Sequence, residues 1–278
     1  MRTHATVKPE PYHYASSQDI LKQYVKMRYE WLPYNYTLAY ENSAFGKPLA
    51  RPLNYNGDNP GEKYSSITDE YLWGDEVLIA PVMEQGARQR KVLFPAGEWI
   101  NYNHPSELYK GGSEAVVDAP IEELPMFVRA GSFIPLYTSQ IENVTQYDPQ
   151  CITVRYYPSA SKSEYTMFDD NRLSPTSLAD GNYRLTYFTG ESKDGETTIS
   201  LKSNGGKYAG MPEVMMMTFE IVNAGKPKSV KLSDGTVLEE AMSLKAIRQY
   251  GWVYDEATDS LFVRFPWNYA DLVLSCEF

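Results

Sequence analysis

Adjacent carboxylates are the first feature of this sequence that could do chemistry. Two carboxyl groups that face the same bond can act as general acid and general base, and the adjacent residues Asp169 and Asp170 are candidates for such a pair. Consecutive residues of a strand point to opposite faces, so these two side chains cannot flank one bond. We therefore interpret Asp169 and Asp170 as part of a polar turn. The pairs at residues 69–70 and 75–76 are predicted to lie on a helix face and at its end.

Histidine and cysteine show no metal-binding pattern. His13 and His104 are predicted to lie in polar loops without the spacing of metal ligands. Cys151 and Cys276 stand alone, with no CxxC motif. We therefore expect neither a metal site nor a cofactor. The two cysteines could pair in an oxidising compartment, and the sequence leaves both that pairing and the compartment open.

Aromatic residues offer a second kind of chemistry, because their rings stack on flat or ring-shaped ligands. Two clusters stand out: Trp99, Tyr102 and Tyr109, and Trp252, Trp267 and Tyr269. Either cluster could form a platform for sugar rings. Both occur in segments rich in β-forming residues, where aromatic side chains more often fill a core. We therefore predict that both clusters are core, with the sugar platform as the alternative.

Charge and hydropathy exclude several classes of partner. The 278 residues include 26 Lys and Arg against 36 Asp and Glu, which gives a net charge of −10. This acidity argues against nucleic acid or an anionic membrane as a partner, since both require basic patches. No apolar run approaches the ~18 residues of a membrane-spanning helix. Residues 1–5 lack an apolar stretch, so we expect no signal peptide.

The first quarter of the chain is predicted to alternate between helix and strand. Apolar residues recur at helical spacing over residues 17–40, and Pro33 should break or kink that helix. Residues 49–53 are predicted as a short strand, and residues 66–73 as another short helix that ends at Gly74. A helix–strand–helix unit cannot form a domain alone, because it exposes both faces of one strand. We therefore interpret it as the tail of a larger α/β unit.

After Gly74, short strands alternate with turn signals. Five such strands are predicted up to Tyr137, and nine more after Gln150 are typical of a β-sandwich. The polar segment 139–150 has no periodicity and is predicted to link two antiparallel β domains. The expected fold is mainly β, with an α/β remnant followed by two β-sandwich-type domains. The predicted domains are residues 1–74, 75–146 and 147–278.

Four segments carry recognisable motifs: residues 24–37 (YVKMRYEWLPYNYT), 46–53 (GKPLARPL), 71–82 (YLWGDEVLIAPV) and 124–135 (LPMFVRAGSFIP). In the same order they resemble the LRYxLLPYxYT helix, the GxPxxRPL strand, the xFxxGxxxLVAPV stretch and the IPxFVRAGSIIP stretch of glycoside hydrolase family 31. This is the family of α-glucosidases and α-xylosidases. The distal half matches only weakly, through FDDN at residues 168–171, which resembles the family's YEDDG turn without its glycine.

The resemblance implies that residues 1–74 are the end of the family's (β/α)₈ barrel, truncated here and followed by a proximal and a distal C-terminal β domain. It implies a retaining α-glycosidase, most often an α-glucosidase with α-xylosidase as the alternative, that hydrolyses α-linked oligosaccharides. The family's nucleophile Asp and acid/base Asp lie upstream of all four motifs. The resemblance therefore implies no catalytic residue in this chain, and no activity for the chain alone.

Arg2 and His4 are the only substrate-binding residues that the resemblance implies here. The sequence Arg2-Thr3-His4 resembles the family's RxH at the C-terminal end of a late barrel strand. There the His hydrogen-bonds a hydroxyl of the sugar whose bond is cut. The alternatives are a terminal His without a partner and an Arg that forms a salt bridge beside the site.

A different class of function stays open. A non-catalytic pair of β modules that binds carbohydrate or protein would account for the β-rich part of the chain, but not for the α/β opening or the four motifs. The coding sequence immediately upstream distinguishes the binding modules from the enzyme, because an in-frame barrel with an Asp on each of two strand ends supports the enzyme. The helix over residues 24–40 is expected to pack its apolar face on the proximal β domain or on a second copy of the chain.

Overall fold

The computed structural model describes residues 13–55, 57 and 61–278. Its content is mainly β, as predicted: two helices are followed by three sheets of five or six strands and one two-stranded sheet. Within these residues, every pairing between strands of the sheets is antiparallel except one. The predicted class of antiparallel β domains is therefore confirmed.

Two helices, α1 (Gln18–Glu30) and α2 (Leu32–Phe45), meet at Trp31. The break falls just before Pro33 because proline, which has no backbone N–H, fits the first turn of a helix, and here it occupies the first turn of α2. The second helix ends at Gly46, whose φ of 73° is left-handed. Neither helix, nor any other in the described part of the chain, has the length and apolar content needed to cross a membrane.

Eight strands form the first β region. In chain order, β1 to β8 are Ala50–Arg51, Tyr71–Trp73, Val77–Ile79, Gln89–Leu93, Glu98–Asn101, Leu108–Lys110, Glu114–Asp118 and Met126–Arg129. Six of them form a sheet in the order β1-β2-β3-β8-β5-β6, and β4 pairs with β7 in a separate ribbon. The core of this region includes Leu78, Trp99 and Phe127, which are buried almost completely.

The predicted short helix at residues 66–73 is wrong. A four-residue helix, α3, occupies Glu62–Ser65, and β2 follows it and pairs with both β1 and β3. Only residues 71–73 of the segment form a strand, because two neighbouring strands offer them hydrogen bonds, and helical spacing over so few residues carries little information. Strand β1, predicted to belong to the α/β unit, therefore joins the first sheet. Of the predicted helix–strand–helix unit, the long helix thus forms as α1 and α2.

Eleven strands form the second β region. In chain order, β9 to β19 are Phe133–Tyr137, Ile152–Tyr156, Ser163–Asp170, Tyr183–Lys193, Glu196–Ser203, Met215–Val222, Ser229–Leu232, Val237–Leu238, Gly251–Asp255, Ser260–Trp267 and Leu272–Glu277. They form two sheets, β17-β18-β14-β10-β9 and β11-β12-β13-β19-β15-β16, and β10 runs parallel to β14. The two sheets share one core, in which Phe188 meets Phe219 edge to face.

The chain passes from the first β region to the second at the turn between β8 and β9. Gly131 lies in this turn with a φ of 90°, and its N–H donates to the carbonyl of Tyr157 at 2.6 Å. Strand β9 comes before the predicted linker 139–150, yet it pairs with β10, which follows that linker. The domain boundary at residues 146–147 thus stays a prediction about which parts of the chain are stable alone. The chain itself leaves the first sheet and enters the second β region at residues 130–132.

Helix α2 is built into the β regions. Trp31, Tyr34 and Leu38 belong to the same hydrophobic cluster as the interior of the second region. On another side of the helix, Tyr40 stacks on Phe168 of β11, with ring centroids 4.6 Å apart. The helix therefore packs on this chain's own β structure, whereas α1 contributes no buried residue.

Candidate functional site

The two residues predicted to bind substrate, Arg2 and His4, lie outside the described residues. The elements that follow them in the chain are α1, α2 and the first sheet. Their surfaces, cavities and buried charges are the candidates for a site within the described part of the molecule.

The four motif segments meet at one turn, between β2 and β3. Tyr34 of the first segment donates its hydroxyl hydrogen toward Glu76 of the third, with the two oxygens 2.7 Å apart. Arg51 of the second segment forms an ion pair with Asp75 of the third. Arg129 of the fourth donates from Nε to the Asp75 carbonyl at 3.3 Å. We name this cluster (Tyr34, Arg51, Asp75, Glu76 and Arg129) the motif joint.

Trp31 closes the apolar side of the motif joint. It is fully buried and stacks on Trp73, with ring centroids 4.5 Å apart and planes 24° apart. The indole N–H of Trp73 donates to the amide oxygen of Asn35 at 3.0 Å. The ring of Tyr102 lies 5.4 Å from Trp31 on the sheet side. These contacts hold the bend between α1 and α2 against the first sheet.

Gly74 is required in the motif joint for steric reasons. Its φ is +67°, in the left-handed region that side chains with a Cβ rarely adopt. A Cβ built on it would lie 2.2 Å from the Tyr34 hydroxyl oxygen and 2.7 Å from Oε2 of Glu76. The glycine therefore allows the β2–β3 turn to approach the helix closely enough for the Tyr34–Glu76 hydrogen bond.

Buried charge dominates the electrostatics of the motif joint. Burial raises the pKa of Glu76 to about 7, although the hydrogen bond from Tyr34 acts in the opposite direction. Arg51 is fully buried and its Nη2 lies 2.6 Å from Glu41, so two carboxylates compensate its charge. Glu76 is bonded to Tyr34 and does not line the groove that runs along α1. Its carboxyl group therefore stabilises the joint and has no access to a substrate there.

A groove of about 840 Å³ lies between α1 and the first sheet. Its lining is mostly apolar and aromatic: Tyr24, Val25, Met27, Arg28, Asn35, Leu49, Ala50, Tyr71, Trp73, Ile79, Leu124 and Met126. Among the described residues of this lining, Arg28 carries the only charge and none has a carboxylate. Hydrolysis of a glycoside between two carboxyl groups needs both groups facing the sugar, and the described residues of this groove supply neither.

Asp169 and Asp170 do not form the predicted polar turn. They are the last residues of β11 and are only 4% and 1% exposed. Asp169 lies 2.6 Å from Nη1 of Arg172 and accepts a hydrogen bond from Tyr208, whereas Asp170 accepts one from Tyr36 at 2.6 Å. Burial raises the pKa of Asp169, and the charge of Arg172 lowers it. Arg172 binds both carboxylates, through its guanidinium at Asp169 and through its backbone N–H at Asp170, so both groups are occupied by contacts within the fold.

Glu70 does not lie on a helix face as predicted. Its side chain is buried, 3.0 Å from Nη2 of Arg90, and it accepts the backbone N–H of Leu93 at 3.1 Å. Burial raises the pKa of Glu70 to about 7, and the N–H of Leu93 and the charge of Arg90 lower it. The carboxylate ties the segment before β2 to β4.

The three tryptophans of the aromatic clusters are core, whereas Tyr102, Tyr109 and Tyr269 are partly buried and pack against it. Trp99 is fully buried under the guanidinium of Arg129, which lies 4.5 Å from its ring. Trp252 and Trp267 are 6% and 1% exposed in the second β region. Tyr269 is only half-buried and lines a separate hollow at the end of the sandwich.

Metal ligands do not converge anywhere in residues 13–55, 57 and 61–278, where no group of three or more His, Cys, Asp and Glu could hold a metal ion. His104 instead contacts Glu123, with Nε2 and Oε2 2.9 Å apart. Cys151 and Cys276 are both free thiols, and burial raises the pKa of Cys276 to about 12.

Buried charge is the feature that sequence reasoning missed. Arg184 is fully buried, and it shares the inward face of β12 with Thr186 and Phe188. Successive side chains of a strand point to opposite faces, so the inward position of Phe188 predicts an inward position for Arg184 as well. No comparable local pattern marks Glu70 or Glu76, because the residues that bind them are distant in sequence.

The comparisons with known proteins agree on one family. Residues 46–134 match the model of the glycosyl hydrolase family 31 C-terminal domain. An α-glucosidase 2 from Bacillus thermoamyloliquefaciens is 32% identical over 209 residues, which are 73% of this chain and 26% of the relative. An α-xylosidase from Saccharolobus solfataricus is 27% identical over 233 residues, which are 83% of this chain and 30% of the relative.

The fold agrees as well. A family 31 dextranase from Flavobacterium johnsoniae, solved as the D412A mutant with isomaltotriose, superposes with a TM-score of 0.87 at 26% identity. That match covers 97% of this chain and 34% of the dextranase chain. The chain therefore spans about a quarter to a third of the length of these relatives.

Proposed function

This chain belongs to glycoside hydrolase family 31. On that premise, we propose that it is the C-terminal portion of a retaining α-glycosidase. The bond cut is the O-glycosidic bond of an α-linked oligosaccharide. An α-glucosidase is the first choice of activity, and an α-xylosidase is the alternative, since relatives of both names match the chain.

The motif joint is the observation that carries this proposal. Four segments that resemble the family lie far apart in sequence, and their residues bind one another at Asp75 and Glu76. Because the family-like residues contact one another, they support an architecture that this chain shares with the family. The motif joint therefore supports the proposal that this chain holds the helices at the end of a barrel against the β domains.

We assign catalysis to residues outside this chain. A retaining glycosidase needs a nucleophilic carboxylate and a second carboxyl group ~5–5.5 Å away that protonates the leaving oxygen. The described residues that line the groove beside α1 include no carboxylate, and Asp169 and Asp170 are buried and held by Tyr208 and Tyr36. In this proposal His4 hydrogen-bonds a hydroxyl of the sugar in the longer protein, and Arg2 lies beside it.

The second candidate is a non-catalytic pair of β modules that binds carbohydrate or protein. The half-buried Tyr269 at the end of the sandwich is the observation in its favour. The motif joint opposes it as the whole explanation, because a free-standing module has no need for α1 and α2.

The test of the proposed function uses two proteins. The purified 278-residue chain is incubated with an aryl α-glucoside and an aryl α-xyloside, and release of the phenol is followed. The same assay is run on the chain extended by its upstream coding sequence. We expect turnover only from the extended protein. Turnover by the short chain that survives repurification, or none by the extended protein with either substrate, contradicts the proposal.

A further inference from the structure

A hollow of about 430 Å³ opens at one end of the sandwich, away from the groove beside α1. The connection from β13 to β14 forms one wall and the turn from β18 to β19 forms the other. Its lining is Ser203, Gly205, Gly206, Lys207, Tyr208, Met211, Pro212, Glu213, Asn268 and Tyr269. The volume falls within the ~300–1,000 Å³ typical of small-molecule sites.

Hydrogen bonds fix both walls in place. The Tyr269 hydroxyl donates to the carbonyl of Pro212 at 2.6 Å and so joins one wall to the other. The side-chain oxygen of Asn204 accepts the backbone N–H groups of Gly206 and Leu185, each at 3.0 Å. A hollow whose walls are already fixed loses little conformational entropy when a ligand binds.

Tyr269 is held in an unfavourable backbone conformation. Its φ is +70°, which is rare for a bulky residue and strains the backbone. The guanidinium of Arg184, which is fully buried, lies 4.2 Å from the centre of the Tyr269 ring. The ring of Tyr269 also meets Trp267 edge to face, with centroids 5.1 Å apart, and Tyr269 stays partly exposed where it lines the hollow. Strain of this kind is concentrated at binding sites.

The rim of the hollow offers both donors and acceptors. Lys207, Glu213 and Asn268 are exposed or partly exposed, and they supply an ammonium, a carboxylate and an amide. One positive and one negative charge balance, so the rim favours neither a cation nor an anion. Hydroxyl groups both donate and accept hydrogen bonds, so a ligand with several hydroxyls suits such a rim. An aromatic ring beside them suits the apolar face of a sugar ring.

We propose that this hollow is a second carbohydrate site, which binds a sugar unit of a neutral oligosaccharide between Tyr269 and the rim formed by Lys207, Glu213 and Asn268. The choice of α-linked glucose units as the ligand rests on the proposed function. The geometry of the hollow itself does not depend on that choice. The site would hold a polysaccharide near the enzyme without taking part in bond cleavage.

The test is a binding titration of the full 278-residue chain with isomaltotriose, maltotriose and the β-linked control cellotriose. Amide NMR signals of Gly205 and Gly206 report on the hollow directly. We expect them to shift with an α-linked trisaccharide, with a Kd on the order of 1 mM, typical of a single weak site. Tyr269→Ala should weaken binding at least about tenfold, as expected for loss of a stacking residue.

Rim variants keep the test informative if Tyr269→Ala fails to fold. Lys207→Ala and Asn268→Ala change side chains at the rim and should each weaken binding by about two- to tenfold, as loss of a single hydrogen bond does. Tyr250→Ala removes an exposed tyrosine that does not line the hollow and should leave binding unchanged.

Absence of any shift at Gly205 and Gly206 up to about 10 mM of each sugar overturns the proposal. Equal weakening by Tyr250→Ala and Tyr269→Ala overturns it too. Binding of an α-linked sugar together with an inactive extended protein supports this site and contradicts only the proposed enzyme. Equal binding of cellotriose supports a sugar site and overturns its preference for α-linked units.

Discussion

Tyr34 and Glu76 are joined by a 2.7 Å hydrogen bond across 42 residues of sequence. The same Tyr34 hydroxyl lies 2.5 Å from the carbonyl of Trp73, and burial raises the pKa of both side chains. A buried polar contact of this kind stabilises a fold only while every partner stays in place, since an unpaired buried group costs about 1–3 kcal/mol. The stability of the α2–sheet contact is therefore sensitive to small changes here.

Gly74→Ala should destabilise the chain far more than an equivalent change in open space. The new Cβ would lie 2.2 Å from the Tyr34 hydroxyl oxygen, and the backbone at residue 74 is left-handed. Crowding adds about 1–3 kcal/mol to the ~1–2 kcal/mol cost of the left-handed conformation. Gly86→Ala is the matched control, because its φ is +81° with nothing within 4 Å. If urea unfolding shows the same loss of unfolding free energy for both variants, the close approach at Gly74 is contradicted.

Glu76 should make the chain less stable as pH rises from about 5 to 8. Its pKa is raised from 4.5 in the unfolded chain to about 7 in the fold. The folded state therefore binds more protons between these values, so the stability conferred by the neutral carboxyl is present below pH 4.5 and is lost as pH rises through about 7. We expect a loss on the order of 1–3 kcal/mol.

Glu76→Gln removes this titration and should flatten the pH dependence of the urea midpoint. Part of the slope should remain, because burial also raises the pKa of Glu70 to about 7. Glu164→Gln, at an exposed position, is the control and should leave the slope unchanged. A Glu76→Gln variant with the wild-type slope would show that Glu76 is not the group responsible.

His4→Ala should lower kcat/KM of the extended protein for its α-glycoside by roughly 10²–10³, the cost of one lost transition-state hydrogen bond. Thermal stability should barely change, because we expect a site residue at a strand end rather than a core residue. Steady-state kinetics and a melting curve on the same preparation separate the two effects. Wild-type kinetics in this variant would contradict the assignment of the sugar-binding histidine.

Limited proteolysis should cut residues 139–150 before either flanking region. The backbone there has only two single turns of 3-10 helix, and Val144 is 60% exposed. The two products should remain associated under native conditions, because β9 and β10 pair on either side of the cut. Cleavage inside residues 164–220 first, with residues 139–150 intact, would contradict the proposed division.

The 278-residue chain should self-associate through α1. Val25 is 46% exposed on this helix and lines the apolar groove of about 840 Å³. Val25→Glu should therefore lower the mass measured by sedimentation velocity at about 100 μM, a concentration at which weak contacts are populated. Val116→Glu, at an exposed position on β7, should not. A single monomeric species for the wild-type chain would contradict this proposal.

The strands were predictable because their side chains alternate and turn signals separate them. The strands predicted between Arg90 and Glu277 from these two signals all overlap strands of the structure, as β8 and β15 illustrate. Two strands were missed, β6 with three residues and β16 with two, since so few residues cannot display a period. The error at residues 66–73 has the same origin, and pairing with β1 and β3 decided the outcome there.

Burial of Asp169 and Glu70 was not predictable from local sequence, in contrast to that of Arg184. Both look like surface residues in any short window, and their burial depends on Arg184 and Arg90 reaching them from other strands. The motif joint was foreseen only as a set of resemblances. Its contacts, such as Arg51 with Asp75, link elements whose spacing in sequence carries no distance information.

The parallel contact between β10 and β14 has a consequence for biosynthesis. Residues 157–214, which include three strands of the opposite sheet, separate the two partners along the chain. At ~5–20 residues per second, a ribosome needs about 3–12 s to produce that interval. During this time β10 has β9 on one edge and nothing on the other. The nascent chain therefore exposes one unpaired edge of an apolar strand for several seconds, and this edge is a site at which a chaperone could bind.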